Sequence, residues 1–347
     1  MTKTEKLIQM YTKANEDLLS QIRQLENGIA KRRVQQILYH VQEILMKLQE
    51  ESSSLSNEIV TESYEEGSNE VINQLIEQGI TEVESSLKSA IHEHAVQEIV
   101  NETFYRILEA TDYMSTDVKE RIEEVVQIAN EKSLLQGISR RQATKDAIAD
   151  LAKQGITGMV YKNGAVMPAE AYMANVIQYN QRKAHVDGSI NRMIENDQDL
   201  VYVNLVGITC EMCAKYQGRV YSISGKDKRF PALTVRPPYH GHCVHSTSAW
   251  VEEYQDEEDI EDALKDSNRT FTDNRTEKNI QKYEEIQRDK SKRNETRKQW
   301  IRYKARMPHL PDLRTFASHK ARKTKKYREW LVDFRIIGGE VKKRGSV

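Results

Sequence analysis

The chain has 347 residues, with 52 Lys and Arg against 53 Asp and Glu and a formal net charge of −1. At 38% hydrophobic, 30% charged and 7% aromatic residues it can bury a core, though a thin and elongated one, and fifteen glycines and six prolines argue for helix over a long disordered linker. No run of about eighteen apolar residues occurs, so no membrane span is expected, and MTKTEKLIQMYTKANEDLL lacks the apolar segment of a signal peptide. The near-zero net charge hides an asymmetry. Eleven acids face one lysine, Lys88, between Glu51 and Val100, whereas 24 Lys and Arg face 10 Asp and Glu between Arg269 and Val347. Such a chain meets partners of differing charge, or itself.

In chain order, Leu7, Tyr11, Ala14, Leu18, Ile22 and Leu25 give the three-four spacing of an amphipathic helix over residues 3–26, stopped at Asn27-Gly28. Val34, Ile37, Leu38, Val41, Ile44, Leu45 and Leu48 repeat the stripe, and Ser52-Ser53-Ser54 reads as a connection. The two helices suit an antiparallel hairpin, and the second stripe is wide enough that Val34, Ile37, Leu38, Val41 and Leu45 are expected to meet another subunit. Residues 58–78 and 82–110 read as helices broken near Gly79. Asp117 with Glu120 reads as a capping box opening a helix that stops at Gly137, and Ser139 caps a helix over 140–153.

The texture then changes. MVYKNGAVMP reads as a hairpin with a type I′ turn at Asn163-Gly164, and Pro168 starts a helix to about Lys183. A polar stretch leads to strands over 200–206, 219–224 and 246–251, followed by an acidic run over 252–266. Basic helices are expected over 276–306 and, after Pro308 and Pro311, over 315–334, ending at Gly338-Gly339 before a loose tail. The fold class is thus mainly α with a small α+β Cys/His-rich module, flanked by an elongated helical N-terminal region and a basic helical C-terminal end. The boundaries fall at 1–155 (docking), 156–254 (module) and 255–347 (acidic linker and basic helices).

All three cysteines lie in the module. Cys210-x-x-Cys213 is the spacing of a zinc knuckle, and the second half is His240-x-x-Cys243-x-His245. Knuckle spacing pairs His240 with Cys243. Alternatively Cys243 and His245, two apart on extended backbone, point to one face. Either choice gives three sulfurs and one imidazole, a closed structural set for Zn2+, and an odd number of crowded cysteines suits a metal site better than a disulfide framework. The deaminase pattern, an HExxH pair, a P-loop and a GxGxxG are all missing from the sequence, so no enzyme is expected. At the basic end Lys298, Arg302, Lys304, Arg306, Arg322, Lys323, Lys325 and Lys326, interleaved with rings, suit contact with the phosphates of double-stranded DNA. The plainer reading is that this face meets acidic helices.

CAKYQGRVYSISG from Cys213 to Gly225, FPAL from Phe230 and HGHCVHS from His240 to Ser246 resemble the phage minor capsid protein family of tailed bacteriophages of Gram-positive hosts. They are also similar to the wider head-morphogenesis family. GITGMVYKNGAVMPAEAY from Gly155 to Tyr172 looks like the hairpin and helix that lead into that motif, and the likeness extends over about 150–335. Val244 departs from the arginine common there. The resemblance favours His245 as the fourth ligand. It implies a low-copy structural virion protein, made in the host cytoplasm and located in the head interior or at the portal vertex. Its implied partners are the portal or major capsid protein, and its implied role is in head assembly or DNA packaging and ejection. A zinc-containing nucleic-acid-binding protein outside a virion is the alternative. A C-terminal toxin-type enzyme fits poorly with the short, helical residues 268–347.

Overall fold

The computed structural model describes residues 1–136, 139–151, 156–307 and 309–344, with 135, 136, 149–151, 301, 302, 305, 306 and 337–344 as backbone alone. The described residues form ten α-helices and five short strands. They fall into two compact units interleaved in sequence. The first takes Met1–Leu7, Ser52–Ile107 and Ala174–Ile286; the second takes Ile8–Glu51, Leu108–Met173 and Gln287–Val347.

Helix α1 (Lys3–Arg23) and the 3-10 turn after it bury the whole expected stripe, Leu7 through Leu25, and Gly28 closes the turn at φ +140°. Helix α2 (Lys31–Glu77) runs unbroken through Ser52-Ser53-Ser54, where the sequence suggested a connection. Ser52 and Ser56 are buried, and side chains this small suit a closely packed helix face. Helix α3 (Ala90–Gln136) likewise runs through the expected cap at Asp117. That carboxylate pairs with Arg121 at 2.9 Å and accepts from Thr157 N and Oγ1 at 3.2 and 3.1 Å, so it serves a tertiary contact instead of a helix start. In α4 (Arg140–Leu151) the expected cap holds, Ser139 Oγ accepting from Gln142 N at 3.2 Å.

Strands β1 (Thr157–Val160) and β2 (Val166–Pro168) form the expected antiparallel hairpin. Its turn is not type I′, which needs positive φ at both central residues. Among the described residues only Gly164 is positive there, at +79°, and its N–H donates to Tyr161 O. Asn163 serves instead as an acceptor for Ala165 N at 3.1 Å.

Helix α5 (Ala169–Glu195), in the first unit from Ala174 onward, continues well past Lys183. A Cβ on Gly188 would fall 2.2 Å from Tyr64 O, and one on Gly67 would fall 2.0 Å from His185 O. The backbones of α2 and α5 therefore touch, and this crossing buries a stretch whose polarity masked the helix. Its polar groups are satisfied internally. Arg192, fully buried, pairs with Glu195 and donates to Ser68 Oγ at 2.9 Å and to the carbonyls of Glu84 and Ser85. Those carbonyls lie in residues 80–89, which are irregular where a helix was expected. His92 bridges Tyr64 Oη at 2.8 Å and Glu195 at 2.9 Å.

On this frame sits a sheet of order β4-β3-β5, all antiparallel: β3 (Leu200–Val203), β4 (Arg219–Ser222) and β5 (Thr247–Ala249). Gln74 and Gln78 of α2 accept from Ala249 N and Val251 N at 2.8 and 3.0 Å, pinning β5 to the helix. A short helix α6 (Glu211–Ala214) links β3 to β4, and α7 (Glu257–Asn268) carries the acidic run. Buried Arg219 clasps the end of α7, donating to the carbonyls of Asp266, Ser267, Arg269 and Thr270 at 2.8–3.2 Å, with Phe271 4.2 Å from its guanidinium.

The second unit ends in the part of α8 (Glu277–Arg306) from Gln287 onward, α9 (Leu313–Ala321) and α10 (Lys325–Arg344). Residues 315–334 are two helices where one was expected, broken at Lys323 with φ +48°, and α10 continues past Gly338-Gly339. Trp300, Tyr303, Met307, Leu310, Phe316 and Trp330 form the core of this part. Tyr303 stacks on Phe334 at 4.0 Å, so the rings of the basic end hold helix to helix.

Candidate metal centre

Three short backbone pieces of the first unit present the sulfurs and imidazoles. Cys210 caps α6, its Sγ accepting from Cys213 N at 3.4 Å, which sets the two side chains beside one another. Cys243 N donates to His240 O at 2.9 Å, a tight turn made possible between the stiff Pro237-Pro238 pair and β5. Thr247 at the head of β5 then fixes the exit by donating to Ser189 Oγ at 3.1 Å.

The five expected ligands converge. His240 Nε2 lies 3.2 Å from Cys210 Sγ and 3.2 Å from Cys213 Sγ; Cys213 Sγ lies 3.8 Å from Cys243 Sγ; Cys243 Sγ lies 3.5 Å from His245 Nδ1. They form two sets of three donors, each within 4.8 Å: Cys210, Cys213 and His240, and Cys213, Cys243 and His245. Cys213 belongs to both. Zinc–sulfur bonds of about 2.3 Å in a tetrahedron separate the ligand atoms by about 3.8 Å, the scale of the spacing within each set, and either set could hold a thiophilic ion. Cys213, Cys243 and His245 are buried, while Cys210 and His240 are half-buried.

The thiols are unequal. A hydrogen bond from Cys213 pulls Cys243 down to about 4, against burial and with help from His245 and the Tyr239 and His245 backbone N–H groups. Cys213 moves the opposite way, raised by Cys243 and by burial. Two adjacent buried thiolates repel one another, so a cation between them would favour ionising both.

Three residues of this site carried no sequence signal. Gln217 Oε1 accepts from Val206 N at 2.8 Å and faces His245 Nε2 at 2.9 Å. Arg275 donates to Thr209 O at 2.9 Å while paired with Asp273 at 2.6 Å, tying down the loop before Cys210. Tyr239 stacks on Tyr216 at 4.9 Å and walls the site beside His245. All three contacts join residues distant in sequence or of ordinary surface type.

A family model described as phage minor capsid protein 2 matches residues 2–334. The chain belongs to the phage minor capsid protein 2 family. The match takes in the N-terminal helices as well as the module. No curated protein matches the chain, and no solved structure matches it. As a minor capsid family member it is a structural component of the virion and associates with other virion components. No described helix is long and apolar enough to cross a membrane.

Of the residues expected to touch DNA in this minor capsid chain, Lys298, Arg322, Lys323, Lys325 and Lys326 are exposed. Lys298 and Lys326 also pair with Glu295 and Glu329 at 3.4 and 3.3 Å. Lys304 is half-buried and donates to Leu310 O, holding its own loop, so it is not part of an open basic face. The side chains of Arg302 and Arg306 lie outside the described residues. Of the expected docking stripe, Ile37, Val41 and Leu45 are buried within the chain, which removes them from any open face. Val34 and Leu38 are half-buried, and the exposed apolar side chains on this stretch are Tyr39 and Met46. The charge follows the two units: the first holds 18 Lys and Arg against 31 Asp and Glu, net −13, and the second 34 against 22, net +12.

Proposed function

We propose that this minor capsid protein is a low-copy component of the phage head, placed at the portal or the inner capsid surface, whose second unit lies against packaged double-stranded DNA. The observation that carries this reading is the segregation of charge, +12 on the second unit against −13 on the first. Lysine and arginine near phosphate release counterions and give affinity without sequence choice, which is what a head protein facing a whole genome requires. The exposed Arg322, Lys323, Lys325 and Lys326 at the α9–α10 break are the contact residues. Arg293 and Arg314, neither with an ion-pair partner among the described residues, extend the basic surface along a groove of about 1220 Å3 between α8 and α9.

In the same reading the module is a zinc-stapled scaffold. Three thiolates and an imidazole form a closed structural set that a chelator unfolds, and the ion holds β3, α6 and β5 together instead of turning over a substrate. The test of the DNA reading uses the full chain. It should bind duplexes of unrelated sequence equally, with log affinity falling linearly in log salt by about 0.9 per phosphate contacted. Absence of duplex binding at low salt, about 50 mM on the scale where phosphate contacts are strong, removes DNA from the function. It leaves an acidic protein surface as the partner of the second unit.

A further inference from the structure

We propose that His245, not His240, is the imidazole ligand of the zinc ion, and that Gln217 is the positioning residue that prepares it. This rests on the zinc reading above. The argument starts from the amide. Gln217 is 3% exposed, and its Oε1 accepts from the backbone N–H of Val206 at 2.8 Å. A backbone N–H can only donate, so this contact fixes which end of the amide is oxygen. The same oxygen lies 2.9 Å from His245 Nε2. An amide oxygen can only accept, so Nε2 carries the hydrogen. In the neutral ring Nδ1 then holds the lone pair, and Nδ1 is the nitrogen 3.5 Å from the Cys243 sulfur. Metal-bound histidines show this arrangement: the far N–H is given to a fixed acceptor and the near nitrogen is left open.

His240 has the opposite arrangement. The backbone N–H of His242 donates to its Nδ1 at 3.2 Å. Nδ1 is therefore the unprotonated nitrogen, and the neutral ring's hydrogen sits on Nε2, the atom 3.2 Å from both Cys210 Sγ and Cys213 Sγ. Such a ring donates hydrogen bonds to thiolates. To bind a metal through Nε2 it must move its proton to Nδ1 and break the His242 contact. His245 needs neither change. The proposed set is thus Cys213, Cys243 and His245, whose donor atoms lie within 4.8 Å of one another, completed by Cys210, which lies within 4.8 Å of Cys213 and moves onto the ion, with His240 donating to the two sulfurs nearest it.

The test is on the full-length protein loaded with Co2+ in place of zinc. It reads the thiolate-to-cobalt and ligand-field absorption bands together with zinc affinity by chelator competition. Wild type binds one ion with a tetrahedral spectrum, and His240→Ala keeps both the ion and the spectrum. His245→Ala loses the tetrahedral bands. Gln217→Leu weakens zinc by about 10–100-fold, the cost typical of losing such a partner, and Gln217→Glu, which keeps an acceptor, restores most of it. Should His245→Ala be insoluble, the Gln217 pair decides: equal zinc affinity in Gln217→Leu and wild type overturns the proposal. Loss of the metal in His240→Ala with retention in His245→Ala overturns the ligand assignment alone. A wild-type protein that takes up no metal overturns the zinc reading and this proposal together.

Discussion

Gly67→Ala gives a test of the helix frame in which the sign of the effect decides. At an unconstrained helical position the change stabilises by about 0.4–1 kcal/mol, because alanine has fewer unfolded conformations to lose. At Gly67 the new Cβ falls 2.0 Å from His185 O, and real Cβ atoms keep at least 3.0 Å from other atoms. Helices α2 and α5 must therefore part by about 1 Å, an overpacking cost of about 1–3 kcal/mol. The net expectation is a loss of about 1–2 kcal/mol, which at about 2–4 °C per kcal/mol lowers Tm by several degrees. Gly188→Ala meets Tyr64 O at 2.2 Å and should behave alike, whereas Gly207, with nothing within 4 Å of its Cβ, should be neutral on substitution. The two helix variants share one crossing, so the double variant should lose less than the sum. Thermal melts by circular dichroism, with hydrogen exchange across 60–70 and 184–192, read all four proteins. A Gly67→Ala protein more stable than wild type would refute the close crossing.

Other expectations concern the module, the clasp, a cap and the basic face. Chelation of zinc should raise hydrogen exchange over 200–250 while circular dichroism keeps most of its helical signal. Arg219→Met leaves the carbonyls at the end of α7 without their donor and should cost about 2–4 kcal/mol, read as faster exchange over 257–270. The Asp312 carboxyl, which accepts from the Thr315 N–H at the start of α9, is held below its ordinary value. Its contribution is complete above that ordinary value and disappears as pH falls through the depressed one. Asp312→Asn should therefore remove part of the acid limb of a stability profile and leave neutral pH little changed. Replacing Arg322, Lys323, Lys325 and Lys326 together with Gln should flatten the salt slope of DNA binding by up to about 3.6 units, measured by anisotropy titrations at several salt concentrations.

Much of this was legible in the chain. The α1 stripe from Leu7 to Leu25, the β1–β2 hairpin, the three module strands and the convergence of Cys210, Cys213 and Cys243 with two histidines followed from periodicity and spacing. The errors share a cause: local signals overridden by tertiary partners. Ser52–Ser54 reads as a linker unless a neighbour buries it. Asp117 reads as a cap unless Thr157 occupies it. The end of α5 reads as polar loop unless Arg192 and His92 find their acceptors on other elements. Gln217 and Arg219 were invisible for the same reason, since their partners lie across the fold and neither residue type stands out where it occurs. The docking stripe is a different case. Its spacing gives a buried face correctly, but amphipathicity alone does not say whether the cover is the same chain or another.

Quantitative mass spectrometry of purified DNA-filled particles, combined with protein–DNA cross-linking, tests the central claim most directly. The account predicts this chain at a few copies per particle, cross-linked to DNA through peptides of residues 287–328 and not through the acidic helix at 257–268. Particles that lack the chain, or hold it with cross-links to protein alone, would contradict it.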